Sequence, residues 1–128
     1  MPRLVFGRAS VMPEPYGRVF EAVTTEQARR LALSLPEAVE QDHHGRPSFR
    51  VGGKIFATLW DDEHLNVMLD EGGILTAVHE DPQAYEQVWW GKKLAAVRVH
   101  LPRVEPEALG ELLEEAWELR APKRLLRG

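Results

Sequence analysis

The pair Gly52-Gly53 constrains the fold of this chain most, because it stands between two short runs of β-prone residues. Glycine adopts positive φ without strain, so two adjacent glycines suit both central positions of a tight turn. The flanking runs, Ser48–Val51 and Lys54–Trp60, are therefore predicted to pair as an antiparallel hairpin. Three cations lie on or near this hairpin: Arg46, Arg50 and Lys54. The cations of such a hairpin could contact the phosphate backbone of a nucleic acid. A hairpin edge that is simply exposed to solvent has the same composition.

The composition indicates one small globular domain. The chain has 128 residues, of which 44% are hydrophobic, and this is enough for a single core. Cysteine is absent, which excludes disulfides, a thiolate nucleophile and a cysteine metal site. No apolar run reaches the length of a membrane span, and Gly7, Arg8 and Pro13 interrupt the apolar residues near the N-terminus. We expect a cytoplasmic protein that has no membrane partner.

The charges are distributed unevenly along the chain. The net charge of −4 disfavours non-specific binding to nucleic acid, because that affinity depends on cations that neutralise phosphates. Six glutamates and no cation lie between Glu105 and Glu118, so any contact with phosphate would have to be local. The candidate cations are Arg46, Arg50, Lys54, Lys92, Lys93, Arg98, Lys123, Arg124 and Arg127. They either converge into one patch in the fold or are solvated separately.

Hydrophobic periodicity predicts a mixed α and β order. Thr24 and Gln27 have capping-box spacing and begin a helix that Pro36 ends. A second helix is predicted over Gly73–His79, and a last helix begins at Glu105-Pro106 and buries Leu112 and Trp117. The five predicted strands are Ala38–His43, Ser48–Val51, Lys54–Trp60, Leu65–Leu69 and Ala95–Leu101. Residues 24–128 form a single domain in this prediction, and residues 1–23 form an apolar arm that covers a sheet face or bridges to a second copy.

The register of the hairpin raises a question about its two faces. A two-residue loop places Val51 opposite Lys54 and Phe49 opposite Phe56, so that Phe49, Phe56 and Trp60 share one face. The opposite face would carry Ile55, Ala57 and Leu59, and both faces would be apolar. One face then packs on the helices, and the other needs cover unless a bulge rotates part of the strand. The functional alternative is an aromatic platform near cations that stacks bases or holds a flat ligand.

Motifs for catalysis, metals and cofactors are missing from this pattern. Adjacent strand residues point to opposite faces, so His43 and His44 could share a metal only in a loop. The serines stand outside a glycine elbow, and the glycine pairs match neither a P-loop nor a dinucleotide fingerprint. We therefore expect no enzyme activity, no metal site and no cofactor.

Four segments together resemble the MmcQ/YjbR family over roughly residues 24–126: Leu33–Ala38, Gly45–Val51, Lys54–Ala57 and Leu119–Arg124. The resemblance implies an α+β fold similar to the frataxin-like CyaY proteins, with helices packed on a twisted antiparallel sheet. It also implies DNA binding through a double-wing arrangement. Iron binding is not implied, because the first helix carries Arg29 and Arg30 where frataxins are acidic.

These observations leave two classes of function open. The first is DNA binding through the cations of the hairpin and the C-terminal tail: Arg46, Arg50, Lys54, Lys92, Lys93, Lys123 and Arg124. The second is a module that binds a protein partner, another copy of itself or a small ligand through Phe49, Phe56 and Trp60.

Overall fold

The computed structural model describes residues 22–127, so the predicted arm lies outside the described residues except for Ala22 and Val23. Val23 is buried, and its N–H donates to the carbonyl oxygen of Leu101 at 3.2 Å. The elements follow the chain as α1 (Thr25–Leu33), β1 (Val39–His43), β2 (Arg46–Val51), β3 (Lys54–Leu59), β4 (His64–Val67), α2 (Glu71–Glu80), β5 (Tyr85–Trp90), β6 (Lys93–His100), a 3-10 turn (Leu101–Arg103), α3 (Pro106–Arg120) and α4 (Lys123–Leu126).

The six strands form one antiparallel sheet in the order β1-β2-β3-β4-β6-β5. One row of paired residues across the sheet, Phe49, Ala57, Val67 and Val97, is fully buried. Helices α1, α2 and α3 contribute buried residues to the same cluster as this row, so all three pack on one face. The predicted α+β architecture, an antiparallel sheet with helices packed on it, is confirmed.

Local chemistry sets the ends of the helices. The predicted capping box is present, since Thr24 Oγ1 accepts from Gln27 N–H and Gln27 Oε1 accepts from Thr24 N–H. Helix α2 begins before Gly72-Gly73 because the Asp70 carboxylate caps Gly73 N–H at 2.8 Å. In α3, Trp117 is buried as predicted, whereas Leu112 is only partly buried.

The β2–β3 hairpin confirms one predicted pair and corrects the other. Val51 pairs with Lys54, but Phe49 pairs with Ala57 instead of Phe56, because β3 has one extra residue at this point. The bulge lets Phe56 and Ala57, which are consecutive, both reach the core. Phe49 and Phe56 are each 0% exposed, so the predicted surface platform of three aromatics is wrong for these two, and Trp60 alone lies at the surface.

The sequence pattern did not predict strand β5. It lies at the edge of the sheet, and a register shift falls between Val88 and Trp89. Only Val88 is buried among its six residues, so the alternation that marks a half-buried strand is missing.

The second face of the sheet carries no helix among the described residues. The row of paired residues that crosses it is polar: Gln41, Ser48, Thr58, Asn66, Arg98 and Glu86. A small apolar cluster of Ile55, Met68, Val88 and Ala96 adjoins this row. We call this side the open face. In the part of the chain that is described, no helix has the length and apolar character needed to cross a bilayer.

Candidate functional site

A groove of about 710 Å³ occupies the open face and contains the candidate site. Its floor consists of Ile55 and Thr58 on β3, Asn66 on β4 and Met68 directly after β4. Its lining also includes the following cations, aromatics and hairpin residues: His43, His44, Arg46, Arg50, Gly53, Lys54, Trp60, Trp90 and Arg120. No aspartate or glutamate is among the residues that line it.

Two arginines contact the ring of Trp60: Arg46 lines the groove, and Arg98 lines a neighbouring pocket on the open face. The guanidinium carbon of Arg46 lies 3.8 Å from the centroid of the Trp60 ring, and that of Arg98 lies 4.6 Å from it. Arg46 is on β2 and Arg98 is on β6, so they approach from strands on opposite sides of β3. These distances are within the range of cation–π attraction, which holds both positive charges at the open face.

The arginines of the open face are anchored in the same way, through Nε. Arg46 donates to the Trp60 carbonyl oxygen at 2.9 Å, and Arg50 donates to Ser48 Oγ at 3.1 Å. Arg98 donates to Asn66 Oδ1 at 3.0 Å, and Arg120 donates to the Ile55 carbonyl oxygen at 3.1 Å. Within residues 22–127 the terminal nitrogens of these four guanidinium groups make no hydrogen bond, and none of the four pairs with a carboxylate. Each group is therefore oriented by the protein, and among the described residues nothing occupies its two terminal nitrogens, which suit an anion.

The acidic residues of α3 do not oppose this charge directly. Leu109, Leu113 and Trp117 of α3 are buried in the cluster on the other side of the sheet. Glutamates 107, 111, 114 and 118 are exposed on this helix. The sheet therefore separates the glutamate-rich surface from the groove, and the net charge of the chain understates the positive character of the open face.

The turns of two hairpins, β2–β3 and β5–β6, border the groove. Gly53 and Lys54 line it at the β2–β3 turn, and Trp90 lines it at the β5–β6 turn. Lys92 and Lys93 are exposed at the second turn, and Lys93 pairs with Trp90, so these two lysines lie beside the groove without lining it.

The C-terminal cations do not join the groove. Arg124 donates two hydrogen bonds to the Glu37 carboxylate, at 2.7 and 2.9 Å. This contact lowers the pKa of Glu37 and raises the pKa of Arg124. Lys123 is exposed at the start of α4, and neither it nor Arg124 lines the groove. Of the predicted cations, the structure therefore brings Arg46, Arg50 and Lys54 together at the groove, whereas Lys123 and Arg124 lie outside its lining and Arg124 is paired with a carboxylate.

A hydrogen-bonded chain of three side chains lies at the edge of the open face. The Asp61 carboxylate accepts from His64 Nδ1 at 2.8 Å, and His64 Nε2 lies 3.1 Å from His100 Nδ1. The N–H of Glu63, which also donates to Asp61, is the main cause of the lowered pKa of Asp61, and His64 contributes. Among residues 22–127, no group of three or more His, Asp or Glu side chains is arranged to hold a metal ion.

Several residues that line the groove were not among the predicted site residues, including Thr58, Asn66, Trp90 and Arg120. Arg98, which lies beside the groove on the open face, was not among them either. Arg98 stands in an alternating strand segment, so its face was foreseeable from sequence, and it was among the wider set of cations. Trp90 comes directly before the turn at Gly91, which is a local signal for a hairpin tip. Arg120 reaches the groove from the last turn of a helix on the other face, and sequence spacing carries no sign of this.

The fold and the groove define a class: a small α+β protein with an antiparallel sheet, helices on one face and a cationic groove on the other. The family model described as YjbR matches residues 33–119, which is more than half of the chain. The protein belongs to the YjbR family, and this confirms the resemblance seen in its sequence. Among curated proteins, none matches the chain at a significant level.

A solved structure is similar to this fold. The crystal structure of Deinococcus radiodurans protein DR2400, which has a DUF419 domain, aligns with a TM-score of 0.65 and 24% sequence identity. The alignment covers 75% of this chain and 77% of that chain. At this identity the likeness supports the fold.

Proposed function

We propose that the protein binds DNA through the open face of its sheet, with Arg46, Arg50, Arg98 and Arg120 as phosphate contacts. One observation carries the proposal: these arginines are held through Nε and have no carboxylate partner within residues 22–127. Guanidinium groups bind phosphate through paired N–H donors, and a pre-oriented group loses less side-chain freedom on binding. Lys54, Lys92 and Lys93 extend the positive surface along the two hairpin turns.

The aromatic residues support nucleic acid over a simple anion. Trp60 and Trp90 line the same groove as Arg46, Arg50 and Arg120, and Trp90 is 57% exposed. Proteins that bind nucleic acid combine a cationic groove with aromatic rings on which bases stack. We propose binding and not catalysis. The hydroxyls of the two described serines, Ser34 and Ser48, donate to main-chain carbonyl oxygens and not to a side-chain base that would make either a nucleophile.

A salt titration tests the proposal. Fluorescence anisotropy of labelled duplex and single-stranded DNA is measured between about 50 and 200 mM salt, where binding driven by phosphate contacts decays. The Arg50→Gln and Lys54→Gln changes should each weaken binding and reduce the logarithmic salt slope by about one. The matched control is Arg30→Gln, which removes the same charge from the exposed side of α1. Absence of binding at low salt, or equal loss in the control, would overturn the proposal.

The second candidate function is binding of a small flat anion such as a nucleotide. The groove volume of about 710 Å³ is within the range of small-molecule pockets, and Ile55 and Met68 give its floor an apolar part. Titration calorimetry with a mononucleotide separates the candidates. If a mononucleotide binds as tightly as an oligonucleotide, the small-ligand function is favoured. If affinity increases with the length of the oligonucleotide, DNA binding is favoured.

A further inference from the structure

The floor of the groove contains two polar side chains with unused hydrogen-bonding groups. Thr58 is 7% exposed and Asn66 is 5% exposed, and both line the groove. An arginine can only donate hydrogen bonds, so the Asn66 atom that contacts Arg98 is the amide oxygen. The amide nitrogen of Asn66 therefore points away from Arg98. Within residues 22–127, neither that nitrogen nor the Thr58 hydroxyl has a hydrogen-bond partner. Buried polar groups are usually paired, so two unpaired groups on one groove floor indicate a ligand that pairs with them.

We infer that the groove takes an unpaired base of single-stranded DNA, an inference that rests on the proposed function and specifies its ligand. The Asn66 amide donates to a carbonyl oxygen of the base, and the Thr58 hydroxyl bonds a neighbouring edge atom. The base ring stacks on Trp90, and the adjoining phosphate contacts Arg50 and Lys54.

Trp90 is better suited to stacking than Trp60. The Trp60 ring already contacts two guanidinium groups, those of Arg46 and Arg98. Trp90 has no ring contact with any other described residue. A free indole face at the rim and an apolar patch of Ile55 and Met68 below it form a surface on which a flat ring can lie.

A duplex presents its bases to this floor poorly. Their faces are stacked and their Watson–Crick edges are paired, so carbonyl oxygens such as thymine O4 are exposed only along the grooves. Phosphates of a duplex could reach the arginines at the rim, but the two groups on the floor are nearly inaccessible from outside and need a ring that enters the groove. Single strands expose both the edge and the face of each base, and these features are what single-strand binding proteins recognise.

The test compares an oligothymidine of about ten nucleotides, within the usual range of site sizes, with a duplex of similar length. Thymine is chosen because it presents carbonyl oxygens to the Asn66 amide. The single strand should bind about tenfold or more tightly than the duplex. Trp90→Ala should lower the single-strand affinity by roughly five- to one-hundred-fold, the range for loss of one stacked base. The matched control is Trp89→Ala, which removes an equally exposed tryptophan at 52% that does not line the groove.

Thr58→Val supplies a second, nearly isosteric variant. It removes an unpartnered hydroxyl, so the melting temperature should be unchanged or higher, while single-strand affinity falls several-fold and duplex affinity stays the same. The inference fails if the duplex binds as tightly as the single strand, or if the Trp89 and Trp90 variants lose affinity equally. If the inference fails in either way, the proposed function still holds provided that duplex binding depends on salt and is weakened by Arg50→Gln. Loss of binding to both forms of DNA would overturn the proposed function itself.

Discussion

The indole nitrogen of Trp117 donates a hydrogen bond to the main-chain carbonyl oxygen of Pro36 over 3.0 Å. These residues lie in α3 and in the turn that follows α1, so this contact ties the two helices together at a point distant in sequence. Trp117 is also 6% exposed and belongs to the main hydrophobic cluster. Its side chain thus combines apolar burial with a specific bond that fixes the entry into β1.

Trp117→Ala should lower the free energy of unfolding by about 3–5 kcal/mol, because it leaves a large cavity and an unpaired carbonyl. Trp117→Phe keeps most of the apolar volume and should cost about 1–3 kcal/mol. Denaturant titrations of the two variants measure both values. An alanine variant that unfolds at the same denaturant concentration as the unmodified protein would place Trp117 outside the stabilising core.

The two glycines of the β2–β3 turn should differ in their tolerance to substitution. Both have positive φ, +58° at Gly52 and +80° at Gly53. A Cβ atom on Gly52 would lie 3.0 Å from Pro122 Cγ, whereas a Cβ atom on Gly53 meets nothing within 4 Å. Gly53→Ala should therefore cost about 1–2 kcal/mol from backbone strain alone, and Gly52→Ala should cost more. Thermal melts compare the variants, and a larger loss at Gly53 would contradict the close approach of Pro122 to this turn.

The raised pKa of Tyr85 leads us to expect a loss of folding stability at high pH. Burial raises the pKa of its phenol to about 12 from the ordinary 10.0. The unfolded chain releases this proton near pH 10 and the folded chain holds it until about pH 12. The unfolded state therefore binds fewer protons between these values, and stability that is fully present below pH 10 falls as the pH rises through this window. Tyr85→Phe should have a flatter stability profile from about pH 10 to 12. Parallel profiles for both proteins would show that Tyr85 titrates normally.

Local chemistry explains which elements could be predicted from the sequence. The capping box at Thr24, the glycine turn and the Pro106 helix start each depend on residues within a few positions, and all three are present. Arg46 and Arg50 were predicted only as cations on or near the hairpin, and the alternation along β2 places both on the open face.

Long-range packing explains what could not be predicted. The bulge at Phe56 arises because two consecutive apolar side chains both pack in the core, and strict alternation would have exposed one of them. The Nε anchors also depend on distant partners: Asn66 is 32 positions from Arg98, and Ile55 is 65 positions from Arg120. Sequence could therefore supply candidate cations, whereas their orientation required the fold.

The last prediction separates the C-terminal cations from the groove. Arg124→Gln should leave DNA affinity and its salt slope unchanged, because this guanidinium is paired with Glu37 and does not line the groove. Arg50→Gln removes the same charge from the groove and should weaken binding with a slope reduced by about one. Glu37→Gln provides the reciprocal check, since it releases Arg124 from its partner without touching the groove. Anisotropy titrations of the three variants at several salt concentrations measure these effects. Two outcomes would contradict a site confined to the open face: equal losses of DNA affinity in Arg50→Gln and Arg124→Gln, or a clear gain of affinity in Glu37→Gln. Either would show that the DNA-binding surface includes the C-terminal tail.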